Sequence, residues 1–232
     1  MSEIRANTVT DAAGTGSPSF PNGLSVASAA LTGVPTAPTA AVATNTTQIA
    51  TTAFVLANAA SALVFISSAT ISNVATVDFT GFDASKYSDY VFSLNNVIPV
   101  TDGVTLQFKM SVDGGSTFLT SYGSCQQAST TTVSATNTSS GGTHIPLTDG
   151  NVVGSDTNEF GVSGEVRVFG PDLAARTYMT SFVRATDAAG RNHIGISVGQ
   201  NEVTTAVNAV RFLFSSGNLE SGRITMYGVR KS

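Results

Sequence analysis

Three patterns of apolar and polar positions follow one another along the chain. From Asp78 onward apolar side chains alternate with polar ones: Leu106, Phe108 and Met110 interleave with Thr105, Gln107 and Lys109, a period of two that fits a half-buried strand. Residues 90–97, 165–169, 177–184, 193–198, 207–214 and 223–229 read the same way, and Asp102-Gly103 and Asp113-Gly114 supply turns between the early segments. About eight short strands with no helix between them predict a mainly β fold, an antiparallel jelly-roll-like β-sandwich over residues 67–232. Residues 124–158, rich in Ser, Thr, Gly and Asn, read as a long surface loop of the kind that carries recognition.

The second pattern lies upstream, in residues 41–66. Asn45 followed three positions later by Gln48 is a helix-start signature, and a helix over 46–64 follows. Within it Ile49, Leu56 and Leu63 recur every seven residues, while Ala53 and Ala60 fall four after Ile49 and Leu56, which outlines a short coiled-coil seam. Packing of that helix on its own domain is the alternative. A membrane span over 49–66 is a further one, but Thr51, Thr52, Asn58 and Ser61 dilute it and no basic flank orients it, so the chain reads as not membrane-embedded. In the third pattern, residues 1–40, Pro18, Pro21, Pro35 and Pro38 favour an extended arm.

Composition sharpens the picture. Ala12 to Val77 contains no Asp, Glu, Lys or Arg, and 36 of its 66 residues are Ala, Ser or Thr. Such a stretch has few large side chains to offset the entropy of ordering, so it gains order only against sister chains or a docking partner. Over the whole 232 residues 11% are charged, against about 25% in ordinary soluble proteins. Little surface charge with a mean hydropathy of +0.17 implies that much of the surface is covered, which makes this an assembly protein. The 11 Lys and Arg are scattered within a net charge of −4, so no basic stripe for nucleic acid can be drawn. The opening Met-Ser-Glu-Ile-Arg lacks the basic and apolar regions of a secretory signal, which predicts assembly in a cytoplasm.

Candidate chemistry is sparse. The lone Cys125 excludes an intrachain disulfide and reads as a small core or edge residue, and His144 and His193 are too far apart for a compact Cys/His zinc site. No phosphate loop occurs, and Gly14-Thr15-Gly16 lacks the preceding strand and the third glycine. His144 with Asp149 has no identified serine, and Asp149, Asp156 and Glu159 fit no calcium-loop spacing. No catalytic residue, metal or cofactor is therefore expected. Binding is the more economical reading, with Tyr122, His144, Asp149, Asn151 and Asn158 in or beside the long loop as receptor-contact candidates. Arg167, Arg176, Arg184, Arg191 and Arg211 are candidates for ion pairs between chains or for solvated strand faces.

The segment TNTTQIATTAFV (44–55), preceded by LTGVPTAPTA (31–40), resembles a module of phage tail-fibre proteins. IRANTVTDAAGTGSPSFPNGL (4–24) is similar to a leader at the N-termini of phage fibre and other virion proteins. YVFSLNNVIPVTDGVTLQFKMSVDGGSTF (90–118) and SSGNLESGRITMYGVR (215–230) resemble a β-domain at the ends of short phage fibres. The resemblance implies a homotrimeric virion protein. Its N-terminal arm would dock on phage tail or capsid proteins, and its C-terminal domain would contact a host surface glycan or outer-membrane receptor without cleaving it. The absence of a long shaft leaves a head fibre or capsid decoration protein as an alternative, and a polysaccharide-degrading tailspike as a third.

Overall fold

The β-branched and aromatic residues that alternate along the C-terminal two thirds of the chain hydrogen-bond into two antiparallel sheets. The computed structural model describes residues 63–129, 134–148, 150 and 152–231, with 41, 51, 52 and 55 upstream, and divides the chain into two units, residues 1–60 and 61–232. In the first unit the Val55 N–H donates to the Thr51 carbonyl (2.9 Å), one helical-type bond. The seam positions Ile49, Ala53, Leu56 and Ala60, and the arm of residues 1–40, lie outside the described residues.

The second unit runs β1 (Leu63–Val74), β2 (Val77–Phe79), β3 (Tyr87–Pro99), β4 (Leu106–Ser111), β5 (Tyr122–Ser129), β6 (Ser134–Gly142), β7 (Ile145–Pro146), a 3-10 turn (Thr157–Glu159), β8 (Val162–Phe169), β9 (Tyr178–Thr186), β10 (Asn192–Asn201), β11 (Ala209–Phe214) and β12 (Leu219–Arg230). One sheet has eight strands in the order β1-β12-β3-β8-β9-β10-β5-β6, the other four in the order β2-β11-β4-β7. The pairings β1–β12, β2–β11, β3–β8 and β4–β7 nest inside one another, so the chain folds back along its own length. The hairpins β5–β6 and β9–β10 extend the larger sheet beyond β8.

Each of the seven segments expected from alternation overlaps a strand, and three expectations are corrected. Leu63, expected to close the helical seam, instead opens β1 opposite Val229. Leu63, Val64 and Phe65 pair with Val229, Gly228 and Tyr227 of β12, so the helix cannot extend through them and the β unit starts before residue 67. Much of the expected loop 124–158 is strand, because β5 and β6 pair from Ser129↔Ser134 back to Tyr122↔Gly142. Its Thr- and Ser-rich composition suits a pleated backbone as well as a loop, and the two strands lie at the sheet's edge.

One core joins the sheets. Phe92 of the large sheet lies 5.4 Å from Phe79 and 5.5 Å from Phe212 of the small one, and Phe212 lies 5.2 Å from Phe108. Offset and edge contacts of this kind are each worth about 0.5–1.5 kcal/mol beyond the area they bury. Leu106, Phe108 and Met110 all point inward, as their spacing predicts.

Candidate functional site

Of the predicted receptor contacts, Tyr122, His144 and Asn158 lie among the described residues. Tyr122 is fully buried: its hydroxyl accepts the Met110 N–H (2.8 Å) and faces the Met110 carbonyl (3.3 Å), tying β5 to β4. A phenol with both hydrogen-bonding functions used inside the core is a structural tie, and Tyr122 is withdrawn as a contact. Burial, and then the nearby charge of Lys109, lower the pKa of half-buried His144 in the turn before β7. Asn158 is exposed on the 3-10 turn, and Asp149 and Asn151 lie outside the described residues. Among the described residues no hydrogen bond joins two of the candidates. Glu159 turns inward, its Oε2 accepting the Asp156 N–H (3.0 Å), and no metal-binding group of three His, Cys, Asp or Glu occurs among the described residues.

Four of the five arginines are engaged within the chain, by Asp89 (Arg167, 2.6 Å), Glu202 (Arg176, 2.9 Å), Asp187 (Arg191, 2.8 Å) and Asp78 (Arg211, 2.7 Å). The fifth differs. Arg184 has a buried Nη1 with no partner among the described residues.

Arg184 belongs to a surface that alternation alone misassigns. In β10 the inward residues are His193, Gly195, Ser197, Gly199 and Asn201, while Ile194, Ile196 and Val198 point out and are 43%, 40% and 47% exposed. The cause lies in β7 and the residues after it, which cross the inner face. A Cβ at Gly199 would sit 2.6–2.9 Å from the Ile145 side chain, and one at Gly195 would strike the Leu147 carbonyl. Ser197 fits because its Oγ donates to the Pro146 carbonyl (2.7 Å). With room only for small side chains at these three central positions, the β-branched set faces solvent.

Neighbouring strands enlarge this outer face. Phe182 lies opposite Ile196 and Thr180 opposite Val198, with Tyr178 further along β9. Phe182 and Tyr178 are 60% and 55% exposed. Tyr178, Val198, Phe169 and half-buried Cys125 line an apolar hollow of about 450 Å³. The Arg167 guanidinium stacks 4.8 Å above Phe169, and exposed Glu165 lies opposite Phe182. The signal in the sequence is the spacing of Gly195 and Gly199 around Ser197, which marks the inner face of β10 as the crowded one.

A second cluster closes the β9–β10 turn. Asp187 Oδ1 accepts from the Ala189 and Arg191 N–H groups (3.0 and 2.8 Å), while Oδ2 accepts from Arg191 Nε (2.8 Å) and lies 2.9 Å from His193 Nε2. Burial opposes the Asp187 charge, but the His193, Arg191 and Ala189 bonds together hold its pKa well below the usual carboxylate range. No hydroxyl or thiol hydrogen-bonds His193 among the described residues, so the cluster clamps the turn and presents no nucleophile.

No protein family, curated protein or solved structure matches the chain. No helix among the described residues is long and apolar enough to cross a membrane.

Proposed function

We propose that the chain is a trimeric structural protein of a bacteriophage particle, a short tail fibre attached through its N-terminal arm and contacting the host surface through its β unit. The observation that carries the self-association is the inverted strand β10, which turns Ile194, Ile196 and Val198 outward beside Phe182 and Tyr178. Covering that face removes roughly 450 Å² of apolar surface per copy, taking about 150–250 Å² for each aromatic side chain and less for the aliphatic ones. At about 25 cal/mol/Å² this is on the order of 10 kcal/mol per copy, comparable with the cost of association. Exposed Glu165, opposite Phe182, and half-buried Arg184, opposite Ile194, lie on the same face and offer a copy complementary charges.

The β unit itself reads as a jelly roll carrying two inserted hairpins. Without β5, β6, β9 and β10 the strand orders become β1-β12-β3-β8 and β2-β11-β4-β7, the two four-stranded sheets of a rolled antiparallel ribbon. The insertions then supply the association face. Placement on the particle rests on the resemblance of residues 4–24, 31–40 and 44–55 to fibre modules. Antibody against the C-terminus, imaged on intact particles, tests it: label at the tail tip supports the fibre, label on the capsid shifts the assignment to a head fibre or decoration protein, and unlabelled particles overturn it.

A further inference from the structure

Three irregularities coincide near the other margin of the large sheet. Pairing of β12 with β3 shifts register on both sides of Ser221, and pairing of β3 with β8 shifts between Leu94 and Val97. Bulges of this kind break the alternation and re-aim side chains. Asn96 is left-handed (φ 49°), with its N–H donating to Ser163 Oγ (3.0 Å) and its Oδ1 accepting from the same hydroxyl (3.1 Å). Gly222 (φ 120°) lies so close to the Asn96 carbonyl that no Cβ fits between them. The result is a groove of about 510 Å³ lined by Thr70, Asn95, Asn96, Phe160, Ser221 and Arg223.

Two residues of this groove are unexplained by the fold. Phe160, which ends the 3-10 turn, is left-handed (φ 56°) and yet 54% exposed. A bulky residue is strained in that conformation, and an exposed ring recovers little burial in return. Arg223 is exposed, makes no ion pair among the described residues, and shares the groove lining with no carboxylate. A flat apolar ring, amide and hydroxyl groups, and an uncommitted guanidinium within one shallow groove match a single ligand chemistry. The ring suits the C–H face of a pyranose, the Asn, Thr and Ser side chains suit its hydroxyls, and the guanidinium suits a carboxylate through two parallel hydrogen bonds.

We infer that this groove binds a carboxylated sugar, a uronate or sialate unit of a surface polysaccharide. The inference rests on the reading of the β unit as the host-contacting part, and it moves the contact from the expected loop of residues 124–158 to the β1–β12–β3 margin, where Phe160, just beyond that loop, contributes. Copies in one assembly multiply a weak single-site contact.

The test is calorimetric titration of the full chain with uronate- and sialate-bearing oligosaccharides, their carboxyl-reduced counterparts, and hexaglutamate. At least one acidic sugar should bind with a dissociation constant of about a millimolar or tighter. Carboxyl reduction, Phe160→Gly and Arg223→Gln should each weaken it about tenfold or more, and hexaglutamate should not bind. The inference is overturned if no acidic sugar binds, if Phe160→Gly binds as well as the parent, or if hexaglutamate binds equally. Adsorption of the labelled full chain to host cells separates the two readings. Adsorption unchanged in both variants removes the groove and leaves the fibre assignment standing, whereas failure of the parent chain to adsorb removes the host-contact reading itself.

Discussion

Replacing Ile196 by lysine separates folding from assembly, because this side chain sits at the centre of the inverted face while remaining 40% exposed in the isolated unit. Within one chain the substitution touches only outward-facing surface, so unfolding free energy should move by about 0.5–1 kcal/mol at most. Between chains the cost is larger. The exposed part of the isoleucine is roughly 70 Å², about 2 kcal/mol when covered. An ammonium group left unpaired in the covered face adds several kcal/mol more. At about 1.4 kcal/mol per tenfold, a total near 4 kcal/mol lowers the association constant about a thousandfold. Sedimentation velocity of the full chain at micromolar concentration should show the parent as an oligomer and Ile196→Lys largely as monomer, with coincident urea unfolding curves for the β unit at matched dilution. Gln107→Lys, on β4 of the small sheet, serves as the control and should assemble normally. An Ile196→Lys variant that sediments like the parent would refute the reasoning.

Other outcomes follow from the same geometry. Gly199→Val should destabilise the β unit by about 1–3 kcal/mol, read from the urea midpoint, because its side chain meets the fully buried Ile145 side chain, which must shift within the core; an unchanged midpoint would mean that β7 does not press on β10. Phe160→Gly should leave stability unchanged or raise it by up to about 1 kcal/mol, since the relief of left-handed strain of about 1–2 kcal/mol exceeds the entropy cost of glycine of about 0.5–1 kcal/mol. A clear loss of stability would assign the ring a packing role. The Asp187 pKa is lowered in the fold, so its contribution is fully present above the unfolded value of about 3.9 and is lost as pH falls below it. Asp187→Asn should therefore differ from the parent most near neutrality, and the gap should narrow steadily as pH falls below about 3.9, where the unfolded carboxyl takes up a proton while the folded one stays ionised; a gap independent of pH would contradict the role of the carboxylate charge.

Strand existence was legible wherever a core face alternated with a wet one, as at Leu106, Phe108 and Met110. It was illegible in β5 and β6, where Ser, Thr and Gln give no contrast between faces and only pairing with a neighbour decides the conformation. Leu63 satisfied a heptad and a strand equally well, and the backbone partners on β12 settled it. Strand β10 was found but not its orientation, because alternation reports which residues share a face and not which face is buried. Tyr122 looked like a loop aromatic and proved to be a core tie, a distinction that depends on Met110, distant enough in sequence to leave no local signal. The groove at Asn96 and Phe160 was invisible for a similar reason, since register shifts in β12, β3 and β8 meet only in three dimensions.

The central claim is that the outer face of β8, β9 and β10 lies between copies of this chain. A cryo-electron microscopy reconstruction of the purified full chain tests it most directly. The expected particle holds three copies of the 23.7 kDa chain, with Phe182, Ile194, Ile196 and Val198 enclosed by their neighbours and Phe160 and Arg223 open to solvent. A monomer, or an assembly that leaves β10 facing solvent, would contradict it.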